Sequence, residues 1–237
     1  MLTLSQFLAG NLASVRKRIE VATQAAGRPP GSVTLIGVSK TQPVEAVAAA
    51  REAGLTDFGE NYLQEALGKM AALQHAGVQW HYIGQLQSNK TRAVAEQFDW
   101  VHTVDRLKVA ERLSAQRPFH GPALNVCLQV KLGDEDSKGG VAPAGLSGLA
   151  QAVALLPRLM LRGLMCIPPE SDDAAVQRAQ FAQLRRLAER LRADGVPLDV
   201  LSMGMSADLE AAIAEGATHV RIGSALFGPR VSHDATH

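Results

Sequence analysis

Short runs of Val, Ile and Leu recur along the chain and alternate with segments whose apolar residues have helical spacing. Continuous apolar runs of this kind are typical of parallel strands that are buried on both faces. The pattern predicts eight strands, at Val33–Ser39, Thr56–Gly59, Trp80–Gly84, Trp100–Val104, Leu124–Lys131, Leu159–Ile167, Leu198–Met203 and His219–Gly223. Helices are predicted between them, at Val44–Ala53, Tyr62–His75, Asn89–Gln97, Leu107–Gln116, Ala144–Leu155, Ala174–Ala193 and Ala207–Glu215.

An additional helix is predicted before the first strand, and the segment GRPPG at 27–31 ends it. Its apolar stripe consists of Leu4, Leu8, Leu12, Val15 and Ile19. Eight strands that alternate with helices fit a closed (β/α)8 TIM-type barrel of the α/β class better than an open doubly wound sheet. We therefore predict a single barrel domain over residues 1–230, with an extra N-terminal helix, and a mobile C-terminal tail over 231–237.

Charge and composition exclude several kinds of partner. The 24 basic and 23 acidic residues give a net charge of +1, so there is no summed field to attract nucleic acid or anionic lipid. No apolar stretch has the length of a membrane span, and we expect a cytoplasmic protein. Both cysteines, Cys127 and Cys166, lie inside apolar runs and are predicted to be buried thiols rather than disulfide partners, metal ligands or nucleophiles.

A lysine stands at the end of the first strand, where barrels carry their functional groups. Lys40 would point into the mouth of the barrel if the inward alternation of the strand continues. Partial burial would lower the pKa of its amine and favour imine formation. From position alone, a solvated lysine is the more common interpretation.

The ends of the last two strands are rich in small residues, with SMGMS at 202–206 and RIGS at 221–224. Small residues such as Ser202 and Gly204 let backbone N–H groups approach an anion, and Ser206 would cap the helix that follows it. Barrels usually bind phosphate at these two loops. An ordinary tight turn is an equally good interpretation of either segment alone, but together with Lys40 they indicate a ligand that carries a carbonyl and a phosphate.

Polar residues also stand near the mouths of the second and third strands. Asn61 and His81 are candidates for ligand contacts, although a hydrogen-bonded core histidine is the more common interpretation of His81. The chain contains neither an HExxH nor a CxxC motif, and it lacks both common glycine-rich nucleotide loops. We therefore expect no metal, ATP or NAD site.

Six motifs follow one another in order along the chain: IGVSKT (36–41), FGENY (58–62), WHYIG with LQSNK (80–90), RGLM (162–165), LSMGMS (201–206) and VRIG (220–223). With them, the chain strongly resembles the pyridoxal phosphate homeostasis protein family, which is similar to the N-terminal barrel of alanine racemase. The resemblance implies that pyridoxal 5′-phosphate (PLP) is bound as a Schiff base on Lys40. There are two departures: Gln85 stands where the family commonly has proline, and Ser224 where threonine is frequent.

The resemblance also implies the other contacts of the cofactor. The phosphate would be held by Ser206, Gly223 and Ser224, while Arg221 would face the pyridine nitrogen. An arginine does not readily give up a proton, so it would leave that nitrogen unprotonated and weaken the ring as an electron sink. The residues implied on the side of the ring are Asn61, His81 and Met165.

The function implied by the resemblance is intracellular PLP homeostasis, by buffering or delivery of the cofactor, without turnover and with no catalytic residue. PLP-dependent apo-enzymes are candidate recipients, and a monomer is expected. The alternative is an amino-acid racemase-like enzyme, but alanine racemase has a C-terminal β domain that supplies a tyrosine. Here we expect the chain to end soon after the eighth strand, and its two tyrosines are Tyr62 and Tyr82. An imine-forming aldolase, a third alternative, would carry its lysine on a later strand.

Overall fold

The computed structural model describes residues 2–73, 77–133 and 139–229. Its strands are β1 (Thr34–Val38), β2 (Asp57–Glu60), β3 (Gln79–Tyr82), β4 (Trp100–Val104), β5 (Leu124–Gln129), β6 (Leu159–Met165), β7 (Val200–Ser202) and β8 (His219–Ile222). Its helices are α1 (Leu4–Ala25), α2 (Val44–Glu52), α3 (Leu63–Ala72), α4 (Thr91–Gln97), α5 (Leu107–Gln116), α6 (Pro143–Ala154), α7 (Ala174–Ala193), α8 (Leu209–Ala214) and α9 (Ser224–Phe227). A 3-10 turn at Ser88–Lys90 precedes α4.

The eight strands form one closed sheet in which every strand is parallel to its neighbours. The order follows the chain from β1 to β8, and β8 then pairs with β1 from Thr34 to Gly37. All strands therefore end at the same mouth of the barrel, where the loops that bear function are expected. The predicted (β/α)8 barrel with an extra N-terminal helix is confirmed.

Element boundaries differ from the prediction mainly near the last two strands. Strand β7 has only three residues, and α8 begins at Leu209 rather than at Ala207. The later start follows from Asp208, whose carboxylate accepts a hydrogen bond from the N–H of Met205 and holds the intervening residues in a turn. Helix α9 is not predicted from the sequence, because its four residues are too few to show a helical period.

Helix α1 packs on the outside of the barrel against α2, α8 and α9. Four of the five predicted stripe residues are buried, but the prediction is wrong for Leu4, which is 46% exposed at the helix start. The stripe continues beyond the predicted residues to Ala22. Burial of this face anchors α1 beside the last two helices.

Two side chains of α1 bind the loops at the barrel mouth. The amide of Asn11 donates a 2.9 Å hydrogen bond to the carbonyl of Leu226 in α9. The guanidinium of Arg18 donates to the carbonyl of Ser206 at 3.0 Å and also pairs with Glu210. Helix α1 therefore supports both loops in which the sequence indicates a phosphate site.

Both cysteines have the environment that the sequence predicts. Cys127 and Cys166 are fully buried free thiols. Burial raises the pKa of each thiol to about 12, so both stay protonated and unreactive near neutral pH.

Within the described ranges, no helix combines the length and the apolar character needed to cross a membrane. The assignment of residues 1–230 to a single domain stays a prediction. The tail predicted at 231–237 lies outside the described residues, as does the end of the helix predicted at Tyr62–His75.

Candidate functional site

A cleft of about 260 Å³ opens among the loops at the barrel mouth. Residues from both ends of the chain line it, because β1 and β8 are neighbours in the closed sheet. The lining residues are Val38, Lys40, Gln42, Asn61, Ile83, Ile167, Met205, Ser206, Ala207, Arg221, Gly223, Ser224 and Gly228. The walls are therefore partly apolar, with a few polar groups that converge on one space, as in most small-molecule sites.

The structure divides the ten predicted site residues into two groups. Six line the cleft: Lys40, Asn61, Ser206, Arg221, Gly223 and Ser224. The other four are fully or largely buried and lie outside the lining: His81, Met165, Ser202 and Gly204. These four do not line the cleft, and their roles as ligand contacts stay predictions.

The turn that carries Lys40 rests on a buried ionic cluster. Lys69 of α3 is 4% exposed, and its ammonium group lies 2.7 Å from a carboxylate oxygen of Glu60 and 2.6 Å from one of Glu65. The same ammonium group donates to the backbone carbonyl of Ser39. Three hydrogen bonds to oxygen thus satisfy the three donors of Lys69, and one of them holds the residue before Lys40.

The cluster also holds the residue that follows Lys40. The carboxylate of Glu65 accepts a 2.6 Å hydrogen bond from the N–H of Thr41. Thr41 has a φ of 65°, which is unfavourable for a β-branched residue and persists only where its surroundings enforce it. Lys40 is therefore presented by a backbone turn that is fixed from both sides.

Glu60 is the most deeply buried member of this cluster. Its side chain is fully enclosed and also accepts a 2.6 Å hydrogen bond from the hydroxyl of Ser39. Burial raises the pKa of Glu60, and the hydrogen bonds from Lys69 and Ser39 offset this only in part. Its second carboxylate oxygen has no hydrogen-bond partner in the described part of the chain, so loss of Lys69 would leave a costly buried charge.

Asn61 is held in the cleft by a close backbone contact. A Cβ atom at Gly84 would lie 2.2 Å from the carbonyl oxygen of Asn61, so only glycine permits this approach. The side-chain oxygen of Asn61 is buried and has no partner among the described residues. An unsatisfied buried acceptor beside a cleft suits a ligand that brings a donor.

The loops after β7 and β8 meet at one end of the cleft. The hydroxyl oxygen of Ser206 lies 3.4 Å from both the hydroxyl of Ser224 and the N–H of Ala225. The prediction that Ser206 caps the helix after it is wrong, because α8 begins three residues later. Ser206 instead faces the first turn of α9, where two hydroxyls and a backbone N–H can converge on an anion.

The two predicted glycines of these loops have different roles. Gly204 has a φ of +94°, and a Cβ there would lie 2.5 Å from the Cβ of Ala212, so backbone and packing require glycine. At Gly223 a Cβ would meet Val38 only at an ordinary 3.6 Å. The protein itself therefore leaves space at Gly223, and this space belongs to the cleft.

Arg221 of β8 is 4% exposed and is one of the residues that line the cleft. It donates 2.8 Å hydrogen bonds to the hydroxyl of Ser202 and to the carbonyl of Cys166. Burial lowers the pKa of Arg221, but a guanidinium starts so high that the group stays charged. Ser202 is thus a support for Arg221 at the floor of the cleft.

Few ionisable groups face the cleft. Of the described residues that line it, only Lys40 and Arg221 carry an ionisable side chain. Tyr82 is buried and its hydroxyl donates to the carbonyl of Gln85, while Tyr62 is 57% exposed, and neither lines the cleft. In the described ranges, no group of three or more His, Cys, Asp or Glu side chains is arranged to hold a metal ion.

Sequence reasoning missed Glu60 and Lys69, which hold the turn of Lys40, and His102, whose ring lies 2.8 Å from the hydroxyl of Ser202. Lys69 has the spacing of a solvated helix face, and only its position four residues after Glu65 hinted at a pair. His102 lies in the middle of the buried run WVHTV, and a histidine in such a run is the signal that could have revealed it.

Comparison with known proteins places this chain among proteins of similar length. The family model described as "Alanine racemase, N-terminal domain" matches residues 10–231. A "Pyridoxal phosphate homeostasis protein" of Pseudomonas aeruginosa is 60% identical over 223 residues, which cover 94% of this chain and 96% of that protein. The Escherichia coli K12 protein of the same name is 52% identical over 230 residues, with 94% and 97% coverage.

Solved structures show the same barrel. The structure of PipY from Synechococcus elongatus with PLP bound has a TM-score of 0.83 and 43% identity, and it covers 93% of this chain and 100% of that chain. An unknown protein from Bifidobacterium adolescentis has a TM-score of 0.87 at 35% identity, with 96% and 98% coverage. Alanine racemase from Corynebacterium glutamicum, at 17% identity and a TM-score of 0.66, shares the fold over 63% of its own length.

We expect Lys69→Met to destabilise the protein by roughly 3–5 kcal/mol at pH 8, because it leaves Glu60 buried and unpaired. The loss should shrink at pH 5. A raised carboxyl pKa in the folded state favours the protonated form, so an unpaired Glu60 is tolerated at low pH and becomes costly as pH rises through its folded pKa. Urea denaturation followed by circular dichroism at both pH values measures this.

The matched control for this prediction is Lys17→Met, which removes the exposed pair with Glu20 and should change stability by less than about 1 kcal/mol. An equal loss at pH 5 and pH 8 for the Lys69 variant would contradict the assignment of an uncompensated Glu60 charge.

Proposed function

Because this chain belongs to the pyridoxal phosphate homeostasis protein family, we propose that it binds PLP and acts in intracellular PLP homeostasis as a buffer or carrier of the cofactor, without turnover of its own. The observation that carries the proposal is the composition of the cleft. Its described lining offers one amine, one guanidinium and two serine hydroxyls, and no second group that could act as an acid or base.

The groups around the cleft match the parts of PLP. PLP supplies an aldehyde that condenses with an amine and a pyridine ring that withdraws electrons. Lys40 offers the amine: its nitrogen forms the C=N bond of a Schiff base, and the aldehyde oxygen leaves as water. Ser206 and Ser224 offer hydroxyls to the phosphate beside the open space at Gly223.

The remaining polar groups suit the ring. The unsatisfied oxygen of Asn61 offers an acceptor, and Arg221 offers a charged donor to the ring nitrogen. Ile83 and Ile167 supply apolar walls that exclude water from the ring. Support for PLP as the ligand comes from the PipY structure, which is described as having PLP bound.

The lack of turnover follows from two properties of the cleft. A guanidinium donor leaves the ring nitrogen unprotonated, which weakens electron withdrawal. Racemisation also needs a second proton-transfer group opposite the lysine, and the described lining offers only Lys40 and Arg221 as ionisable groups. Likeness to alanine racemase is a likeness of fold, and the close relatives are named homeostasis proteins.

We propose PLP-dependent apo-enzymes as the recipients of the bound cofactor, since a carrier needs an acceptor. A monomeric state and a cytoplasmic location are parts of the same proposal and stay predictions from the sequence.

We expect Lys40→Ala to abolish the imine absorbance that appears when PLP is added to the wild-type protein. Borohydride reduction followed by peptide mass mapping should place the pyridoxyl group on Lys40. Lys90→Ala is the control and should behave like wild type. A pyridoxyl group found on Lys90 or Lys138 would show that the attachment site is wrong. Some non-covalent PLP should remain in the Lys40 variant, because the phosphate contacts do not depend on the imine.

We expect Ser206→Ala to weaken PLP binding by roughly tenfold to a hundredfold, the effect of one charge-assisted hydrogen bond of about 1.5–3 kcal/mol. Gly223→Val should weaken it further, because its side chain would fill space that the protein leaves open. Absorbance titration measures both, with Ser14→Ala on the exposed face of α1 as control. Wild-type affinity in both folded variants would remove the phosphate site from these loops.

We expect the α-proton of L-alanine to stay unexchanged over hours when the PLP-loaded protein is incubated with it in deuterated water. The reason is that the cleft offers no second base and only a weak electron sink. Proton NMR measures the exchange, and the Lys40→Ala protein supplies the background rate. Exchange at enzyme-like rates would assign the protein to the racemase-like class.

A further inference from the structure

A chain of hydrogen-bonded side chains runs through the barrel interior from its N-terminal end to the cleft. One oxygen of Asp57, the first residue of β2, lies 3.0 Å from Nε2 of His81. Nδ1 of His81 lies 2.9 Å from Nε2 of His102, and Nδ1 of His102 lies 2.8 Å from the hydroxyl of Ser202. The chain ends at Arg221, whose Nη1 lies 2.8 Å from the same hydroxyl.

The interior links of this chain are closed to solvent. His81, His102 and Ser202 are each 0% exposed, whereas the side chain of Asp57 is 19% exposed. Trp100 stacks on the ring of His81 with 5.5 Å between ring centroids, which fixes the ring plane. Because the two rings have no access to water, their nitrogens form hydrogen bonds with each other and with their two polar neighbours, Asp57 and Ser202.

The hydrogen atoms in this chain can be placed from its two ends. Arg221 has donors only, so the hydroxyl oxygen of Ser202 accepts. The other neighbour of that hydroxyl at hydrogen-bond distance in the described residues is Nδ1 of His102, which therefore accepts the hydroxyl hydrogen. His102 is neutral, because burial and the positive charge of Arg221 hold its pKa well below the usual value.

The rest of the assignment follows from the neutral His102. Its Nε2 carries the hydrogen and donates to Nδ1 of His81, whose Nε2 in turn donates to the carboxylate of Asp57. Burial alone would raise the pKa of Asp57, but hydrogen bonds from His81 and Thr56 outweigh it and lower the pKa, so the carboxylate is ionised and can only accept. All four hydrogen bonds therefore point from Arg221 toward Asp57.

We propose that Asp57, His81 and His102 are positioning residues for Arg221. Because every hydrogen bond in their chain points toward Asp57, the oxygen of Ser202 accepts from the guanidinium of Arg221. This bond orients the guanidinium so that its remaining N–H groups are held toward the cleft. The inference rests on the proposed function for the identity of the ligand that these N–H groups meet. The reversed chain is disfavoured, since a neutral His81 would then set a bare Nε2 against the carboxylate of Asp57, and the hydroxyl hydrogen of Ser202 would have no acceptor among the described residues.

Other ionisable groups lie near this hydrogen-bonded chain without belonging to it. His219 of β8 packs against both rings, with centroids 6.4 Å from His81 and 6.2 Å from His102, and burial lowers its pKa to about 4. Arg162 of β6 lies over Trp100 and pairs with Asp199 at 2.6 Å. Asp199 thus offers a control carboxylate, because its side-chain hydrogen bonds go to Arg162 and none goes to His81 or His102 among the described residues.

The test reads the hydrogen positions directly in protein without PLP. Long-range ¹H–¹⁵N correlation spectra of ¹⁵N-histidine protein at pH 7.5 should show His81 and His102 as neutral rings with the hydrogen on Nε2. Resonances are assigned from the His81→Gln and His102→Gln proteins. Asp57→Asn offers an amide that can donate or accept, so both rings should populate the Nδ1–H form, while Asp199→Asn should keep the wild-type pattern.

The second readout is PLP affinity by absorbance titration. Asp57→Asn should weaken binding about threefold to tenfold, as expected when one supporting hydrogen-bond network loses its direction, and Asp199→Asn should bind as wild type. A hydrogen on Nδ1 of His102 in the wild-type protein overturns the proposal, even if the Asp57 variant fails to fold. Unchanged tautomers and affinity in a folded Asp57→Asn protein overturn it too. If PLP does not bind the wild-type protein while the spectra are as expected, the proposed function fails and the direction of the chain stands.

Discussion

The hydrogen bonds that close the barrel between β1 and β8 determine where every group of the cleft lies. Pairing of Thr34–Gly37 with His219–Ile222 brings the turn of Lys40 beside Arg221 and the loop of Gly223. These residues come from opposite ends of the chain, so their proximity depends on the twist and stagger accumulated over all eight strands. Helix α1 strengthens the same seam, because it packs against α2, α8 and α9.

Two buried cations beneath the cleft are accommodated in different ways. Lys69 is paired directly with carboxylates, and this cluster holds the strained turn that carries Lys40. Arg221 has no ion pair among the described residues and is linked to Asp57 through a hydroxyl and two buried histidine rings. A direct pair fixes a backbone, whereas the longer chain fixes the orientation of a side chain that must keep donors for a ligand.

The barrel interior beneath the cleft contains polar and ionisable side chains where a purely structural core would be apolar. Buried charges and histidines cost free energy unless each polar atom finds a partner. Most do here, and the exceptions include an oxygen of Asn61 at the cleft. A site of this kind holds a ligand through preformed contacts.

The sequence by itself determined the fold class, the eight strands, the outer helix α1 and the six predicted residues that line the cleft. Strand runs such as 34–38 and 100–104 are set by local burial, and the position of Lys40 at a strand end follows from chain order alone. The short helix α9 and the later start of α8 were missed, since a turn held by Asp208 and a four-residue helix leave no periodic pattern.

Only the tertiary structure decided which residues support the site. His81, Met165 and Ser202 lie near the cleft in sequence order, yet their side chains are buried in the barrel interior, because side-chain direction depends on strand register and closure. Gly204 instead packs against Ala212 of α8. Asp57, Glu60, Lys69 and His102 come from two strands, β2 and β4, and one helix, α3, and the sequence does not reveal their partners. Hydrogen bonds between such residues exist only once the barrel is closed, and a one-dimensional pattern carries no information about partners that distant parts of the chain supply.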